Sequence, residues 1–159
     1  MRLALLIAVW LSLSGCVKDY RITTPFNDAD FAGYSKTGLS TIAGQAFLKT
    51  KGGDVKFGAG NQITLYPYTS YVQEVLSMKK RPNYKIKNED TRWMQYIKTT
   101  IADAQGKFEF KNIPAGNYLI ECGIFWQVPG QYGLQTTGDI VSKQVSVGNN
   151  DSINIMLTE

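Results

Sequence analysis

Residues able to do chemistry are sparse in this chain, and their types exclude more than they offer. None of the 159 residues is histidine, which removes the usual general base, the commonest zinc ligand and the usual pH switch. The carboxylates Asp103, Asp139 and Asp151 stand in or beside turn sequences. Asx-type hydrogen bonds explain them better there than a hydrolytic pair or a calcium site does. Gly52-Gly53 and Gly58-Ala59-Gly60 lie near Lys51 and Lys56. Neither a helix start nor Gly-Lys-Ser/Thr follows, so turn glycines are expected rather than a phosphate cradle. Aromatic residues are the richer resource. Trp126, Tyr132, Tyr66 and Tyr68 offer apolar ring area with a polar handle, which suits a sugar or a peptide. Core packing competes for the same rings, above all for Trp126, whereas the Gly- and Gln-rich loop Val128 to Gly138 carries Tyr132 as its exposed contact. The expected complement of cofactors and of metals is none.

The two cysteines have different settings. Arg2, the apolar run Leu3 to Leu13 and the small residues after it form the three parts of an export signal over residues 1–15. The run is too short to span a bilayer. Its end, Leu13-Ser14-Gly15-Cys16, resembles the lipobox of bacterial lipoproteins. That resemblance implies that Cys16 is lipidated, becomes the first residue and is the chain's attachment to a membrane. Val17 rather than Asp follows it, which under the sorting rule of enteric bacteria favours the outer membrane over the inner, with the domain facing the periplasm. With Cys16 acylated, Cys122 has no partner for a disulfide and is expected as a small core residue.

These groups need a scaffold, and the remaining residues, about 144 in number, make one domain with core enough to fold without staples. The formal charge of +4 is too small and too dispersed to argue for nucleic acid. Residues 16–40 are polar and show no sustained period, so they read as a tether, with Phe26, Phe31 and Tyr34 as the side chains able to pin part of it down. From Thr41 to the end, short apolar runs separated by Gly, Asn and Pro signals predict strands at 42–49, 62–67, 97–102, 107–111, 117–127, 139–147 and 152–158. Alternation sets their facing: Tyr118, Ile120, Cys122, Ile124 and Trp126 share one side, and Phe108 and Phe110 alternate with Lys107, Glu109 and Lys111.

One stretch breaks the strand period. Between Thr69 and Lys98, residues Tyr71, Val72, Val75, Leu76 and Met78 fall near helical spacing, and Trp93, Met94 and Ile97 follow after Pro82. A short helical insertion is expected over 69–98. Lys79, Lys80, Arg81, Lys85, Lys87, Arg92 and Lys98 outnumber Glu74, Glu89 and Asp90 within it. The excess marks Lys79, Lys80, Arg81, Lys85, Lys87 and Arg92 as a surface for an envelope protein or an anionic surface, with Tyr71, Val75, Trp93 and Met94 beside it. The competing arrangement docks those apolar residues on the sandwich and leaves the lysines as a solvated face.

The segment Ile101-Ala102-Asp103-Ala104-Gln105-Gly106-Lys107-Phe108-Glu109-Phe110, followed by Ile113-Pro114-Ala115-Gly116-Asn117-Tyr118, resembles the signature of carboxypeptidase regulatory-like domains. Upstream pieces such as Gly44 to Leu48, Gly52 to Lys56 and Leu65-Tyr66-Pro67 are similar to small proteobacterial lipoproteins carrying that domain. The resemblance implies an all-β fold: a transthyretin-like, Greek-key β-sandwich of about seven strands, occupying residues 41–159. It implies no activity. A transthyretin-like ureide hydrolase relies on histidines and a C-terminal Tyr-Arg-Gly-Ser, whereas this chain ends Met156-Leu157-Thr158-Glu159. The functional expectation is a membrane-anchored envelope lipoprotein whose sandwich is a non-enzymatic binding or structural module. An unrecognised periplasmic hydrolase or a carbohydrate-binding domain is the alternative.

Overall fold

A computed structural model describes residues 17–159; Cys16 and the expected export signal lie outside the described residues. The chain runs β1 (Lys18–Tyr20), β2 (Ser40–Lys49), β3 (Val55–Phe57), β4 (Gln62–Pro67), α1 (Ser70–Lys79), β5 (Tyr84–Ile86), β6 (Lys98–Ile101), β7 (Lys107–Ile113), β8 (Gly116–Gly130), β9 (Gly133–Val147) and β10 (Ser152–Leu157). Short 3-10 turns at Asp28–Phe31 and Thr91–Tyr96 complete it. The fold is all-β with one short α-helix, as the alternation predicts.

Two sheets face each other. In one, β2 pairs in parallel with β10 and antiparallel with β7 and β3; in the other the order is β6-β4-β8-β9. Their inner faces meet in a core of Ile42, Ile63, Leu65, Phe108, Phe110, Tyr118, Ile120, Cys122, Ile124, Val141 and Leu157. Alternation puts them there, since in β7 the buried Phe108 and Phe110 interleave with exposed Lys107, Glu109 and Lys111. The turn before β7 is set by Asp103, whose carboxylate accepts from the Gln105 and Lys107 amides at 2.8 Å each. Gly106 completes it at φ +74°, where a Cβ would sit 2.5 Å from the Ala46 carbonyl oxygen. After β7, Tyr118 Oη donates to the Pro114 carbonyl at 2.8 Å and closes the turn into β8.

The outer face of β4 and β8 is covered too. Helix α1 begins at Thr69, whose hydroxyl accepts from the Val72 amide. It buries Tyr71, Val72, Val75 and Leu76 in a second core with Ile22, Phe31 and Trp93, against which Tyr66 of β4 and Leu119 of β8 pack. Residues 18–40 are therefore not a free tether. Strand β1 pairs in parallel with β5, and Phe31 is completely buried between the rings of Phe26 and Tyr96, 4.9 and 4.8 Å away. The pinning aromatics decide the outcome, because the apolar face of α1 and Trp93 would otherwise meet water.

The expected loop Val128 to Gly138 is the end of a long hairpin. Strands β8 and β9 stay in register from Gly116↔Val147 to Gly130↔Gly133, leaving Gln131-Tyr132 as a two-residue loop. Strand β4 stops pairing with β8 at Cys122, so the hairpin beyond it extends as an arm. Gly138 makes this possible: at φ +130° a Cβ would lie 2.1 Å from the Ile124 carbonyl oxygen.

Candidate functional site

Trp126 lies on the arm, opposite Thr137, on the same side as the buried Ile124. One part of the ring packs against the main core while the residue stays half-buried. With Thr50, Lys51, Thr137, Gly138, Asp139 and Glu159, it lines a hollow of about 380 Å³ between the end of β2 and the arm. Asp139 is oriented there by the Ile140 amide, which donates to its Oδ1 at 2.7 Å. The site thus combines an aromatic side chain braced from behind with hydroxyl, carboxylate and ammonium groups around it. Such a constellation can hold a polyhydroxylated ligand by ring contact and hydrogen bonding.

The other aromatic candidates do not join Trp126. Tyr132 stands at the tip of the arm and is 91% exposed. Tyr66 belongs to the second core, 6.2 Å from the Trp93 ring. Its hydroxyl is held above the usual phenol range by burial and by the neighbouring Glu121 charge. Tyr68 lines a different groove of about 540 Å³ between α1 and the β8–β9 sheet, with Gln73, Glu74, Lys80, Ser142 and Gln144. There the Gln144 side-chain amide donates to the Tyr68 hydroxyl, and Lys80 pairs with Glu121 at 2.7 Å.

The groove's remaining carboxylate is occupied. Glu74 accepts from the Tyr20 hydroxyl at 2.8 Å and from the Thr23 and Thr24 amides at 2.7 and 2.8 Å. Burial opposes its ionisation, but these bonds outweigh burial and lower its pKa to about 2. A group held ionised in this way suits neither a general acid nor a free ligand contact at neutral pH. Its role is to fasten the N-terminal segment to α1, a pairing across fifty residues that no local pattern announces.

The basic residues of the insertion are mostly engaged by carboxylates or rings. Lys79 pairs with Glu89 at 2.8 Å and lies over the Trp93 ring, Lys87 pairs with Asp19 at 3.3 Å, and Arg92 pairs with Asp90 and Asp28 at 2.7 and 3.0 Å. Arg81 lies over the Tyr84 ring at 5.8 Å, and Lys85 is exposed. Three of the carboxylates, Asp19, Asp28 and Glu121, come from outside the insertion, so its own excess overstates the free charge. The apolar residues expected beside that charge are largely inside: Tyr71, Val75 and Trp93 are buried, and only Met94 is exposed.

Cys122 is buried, and burial pushes its thiol up to about 11. Asp103 and Asp151 serve turns as expected, Asp151 accepting from the Gly148 amide at 2.6 Å, whereas Asp139 lies within β9 opposite Ile124 and not at a turn. Among the described residues, no helix is long and apolar enough to cross a membrane.

No protein-family model matches the chain, and no curated protein does. Among solved structures, the chain is similar to a candidate carbohydrate binding protein of Pseudomonas aeruginosa. The likeness has a TM-score of 0.74 and 26% identity, and covers 86% of this chain and 99% of that one. A second, the major pilin subunit BcpA of Bacillus cereus, matches at a TM-score of 0.37 and 16% identity over 77% of this chain and 30% of that one, too little shared structure to bear on fold or role.

Proposed function

We propose that this chain is a non-enzymatic binding module of the bacterial cell envelope, anchored by lipid on Cys16 in the outer membrane and facing the periplasm. Its kin on this reading are the carboxypeptidase regulatory-like lipoproteins, and its ligand is a carbohydrate received beside Trp126. One observation carries the ligand class: the hollow at the base of the arm sets Trp126 among Thr50, Thr137 and Asp139. A sugar presents a C–H face to such a ring and hydroxyls to such a rim. The likeness to a candidate carbohydrate binding protein across nearly all of that protein's length supports the same class. The hydrolase alternative draws no support from the carboxylates, since Glu74 is consumed by hydrogen bonds and Asp139 is oriented by a neighbouring amide.

Fluorescence tests the reading directly. Trp10 leaves with the signal and Trp93 is only 2% exposed, so Trp126 is the tryptophan that a ligand can reach. Titrating the mature chain with a panel of neutral oligosaccharides should shift its emission saturably for at least one member. Trp126→Ala should remove binding without unfolding the sandwich, and Asp139→Asn should weaken it. A Trp126→Ala variant that binds the same oligosaccharide with unchanged affinity overturns the assignment.

A further inference from the structure

The ribbon formed by β1 and β5 begins two residues after Cys16 and joins the N-terminal segment to the insertion. Lys18, Asp19 and Tyr20 pair with Tyr84, Lys85 and Ile86. On one side Tyr20 and Ile86 pack into the second core. The opposite side carries Asp19, Lys85 and Lys87, all exposed, with Arg21 exposed at the end of the ribbon. By the same alternation Lys18 and Tyr84 fall on the Tyr20 side, and Arg81, over the Tyr84 ring, stands with Lys18 at the start of the ribbon and not on its outer face.

The balance of charge on the ribbon is positive. Asp19 answers Lys87 at 3.3 Å. Lys18, Arg21, Arg81 and Lys85 have no ion pair among the described residues. The carboxylate of the neighbouring helix, Glu74, is turned to the Tyr20 hydroxyl and the Thr23 and Thr24 amides. Position adds the second argument. Two extended residues span about 7 Å, so lipid on Cys16 would hold Lys18 at the headgroups with no slack for the domain to stand clear.

We propose that the β1–β5 ribbon is a headgroup-binding element that seats the domain on an anionic phospholipid bilayer, with Arg21 and Lys85 on its outer face and Lys18 and Arg81 at its start as the contacts. The inference rests on the reading of Cys16 as the lipidated residue. Acyl chains fix the distance, and the basic ribbon fixes the orientation. A basic side chain at an anionic bilayer surface contributes about fivefold to partitioning, within a Debye length and subject to salt.

Two measurements separate the surface from the anchor. Intact mass of the protein purified from bacterial membranes reports acylation of Cys16; an unmodified cysteine overturns the placement. The surface is tested on the mature chain carrying Cys16→Ser, so that acyl chains supply no binding. This protein should cosediment with vesicles of phosphatidylcholine containing about one third phosphatidylglycerol, and not with pure phosphatidylcholine. Raised salt should release it.

Arg21→Glu/Arg81→Glu/Lys85→Glu should lower partitioning by at least roughly 100-fold. Because Arg81 also covers Tyr84, Arg21→Gln/Lys85→Gln is measured alongside and should lose roughly 25-fold with an unchanged melting temperature. Equal sedimentation of the variants, equal binding to neutral vesicles or no binding at all overturns the proposal even where Cys16 is acylated. Salt-sensitive crosslinking of this ribbon to an acidic envelope protein instead of lipid overturns the choice of partner.

Discussion

The Tyr20 hydroxyl donates to Glu74 Oε1 at 2.8 Å, joining the first strand of the described chain to the middle of its helix. The Thr23 and Thr24 amides complete the contact, so one carboxylate fastens residues 20–24 to the helix, ahead of the ring contacts that hold Phe31 in the second core.

That contact makes the N-terminal segment acid-labile. Glu74 has its pKa lowered from an ordinary 4.5 to about 2, so the stabilisation is complete above the unfolded value and is lost as pH falls from about 4.5 towards 2. Hydrogen exchange at Thr23 and Thr24 should accelerate across that window, after correction for the intrinsic rate. In Glu74→Gln those amides should be less protected at neutral pH and lack the acid step.

The facing of β7 predicts opposite outcomes at adjacent residues. Phe108 is 5% exposed in the main core, so Phe108→Ala should cost about 3–5 kcal/mol. Glu109 is exposed and bonded only to Lys111 across the surface at 3.1 Å, and Glu109→Ala should change stability by less than about 0.5 kcal/mol. Denaturant melts of the two variants check the pair.

Cys122 should be silent in the native protein. It is 1% exposed and its thiol is pushed up to about 11 by burial, so thiolate is scarce and reagents are excluded. Labelling of residues 16–159 carrying Cys16→Ser by a thiol reagent should follow the denaturation curve. Stoichiometric labelling under native conditions would place Cys122 outside the core.

Reversing charge at the end of α1 should destabilise the domain. Lys80 reaches Glu121, whose side chain is 11% exposed, at 2.7 Å. Lys80→Glu sets two carboxylates together and should cost roughly 1–2 kcal/mol, given that the lysine side is half in water. Lys80→Glu/Glu121→Lys should recover part of the loss in thermal melts. Lys85→Glu, with no ion pair to break, should leave the melting temperature unchanged.

Wherever a structural feature is a matter of neighbours along the chain, the residues alone determined it. The alternation of Phe108 and Phe110 with charged residues, and of Tyr118, Ile120, Cys122 and Ile124 along β8, specified strands and their buried faces, because a strand has a period of two and one side must meet a core. The Asp103 to Gly106 turn was legible for the same reason, its bonds spanning four residues at most. Strands β1 and β5 were not, since three residues carry no period and gain their place only by pairing with each other across more than sixty positions. Tertiary structure alone decided that Asp19, Asp28 and Glu121 would answer the insertion's cations. It likewise set Trp126 beside Thr50, Thr137 and Asp139, because contacts between distant segments depend on how the sheets stack and where the hairpin outgrows β4.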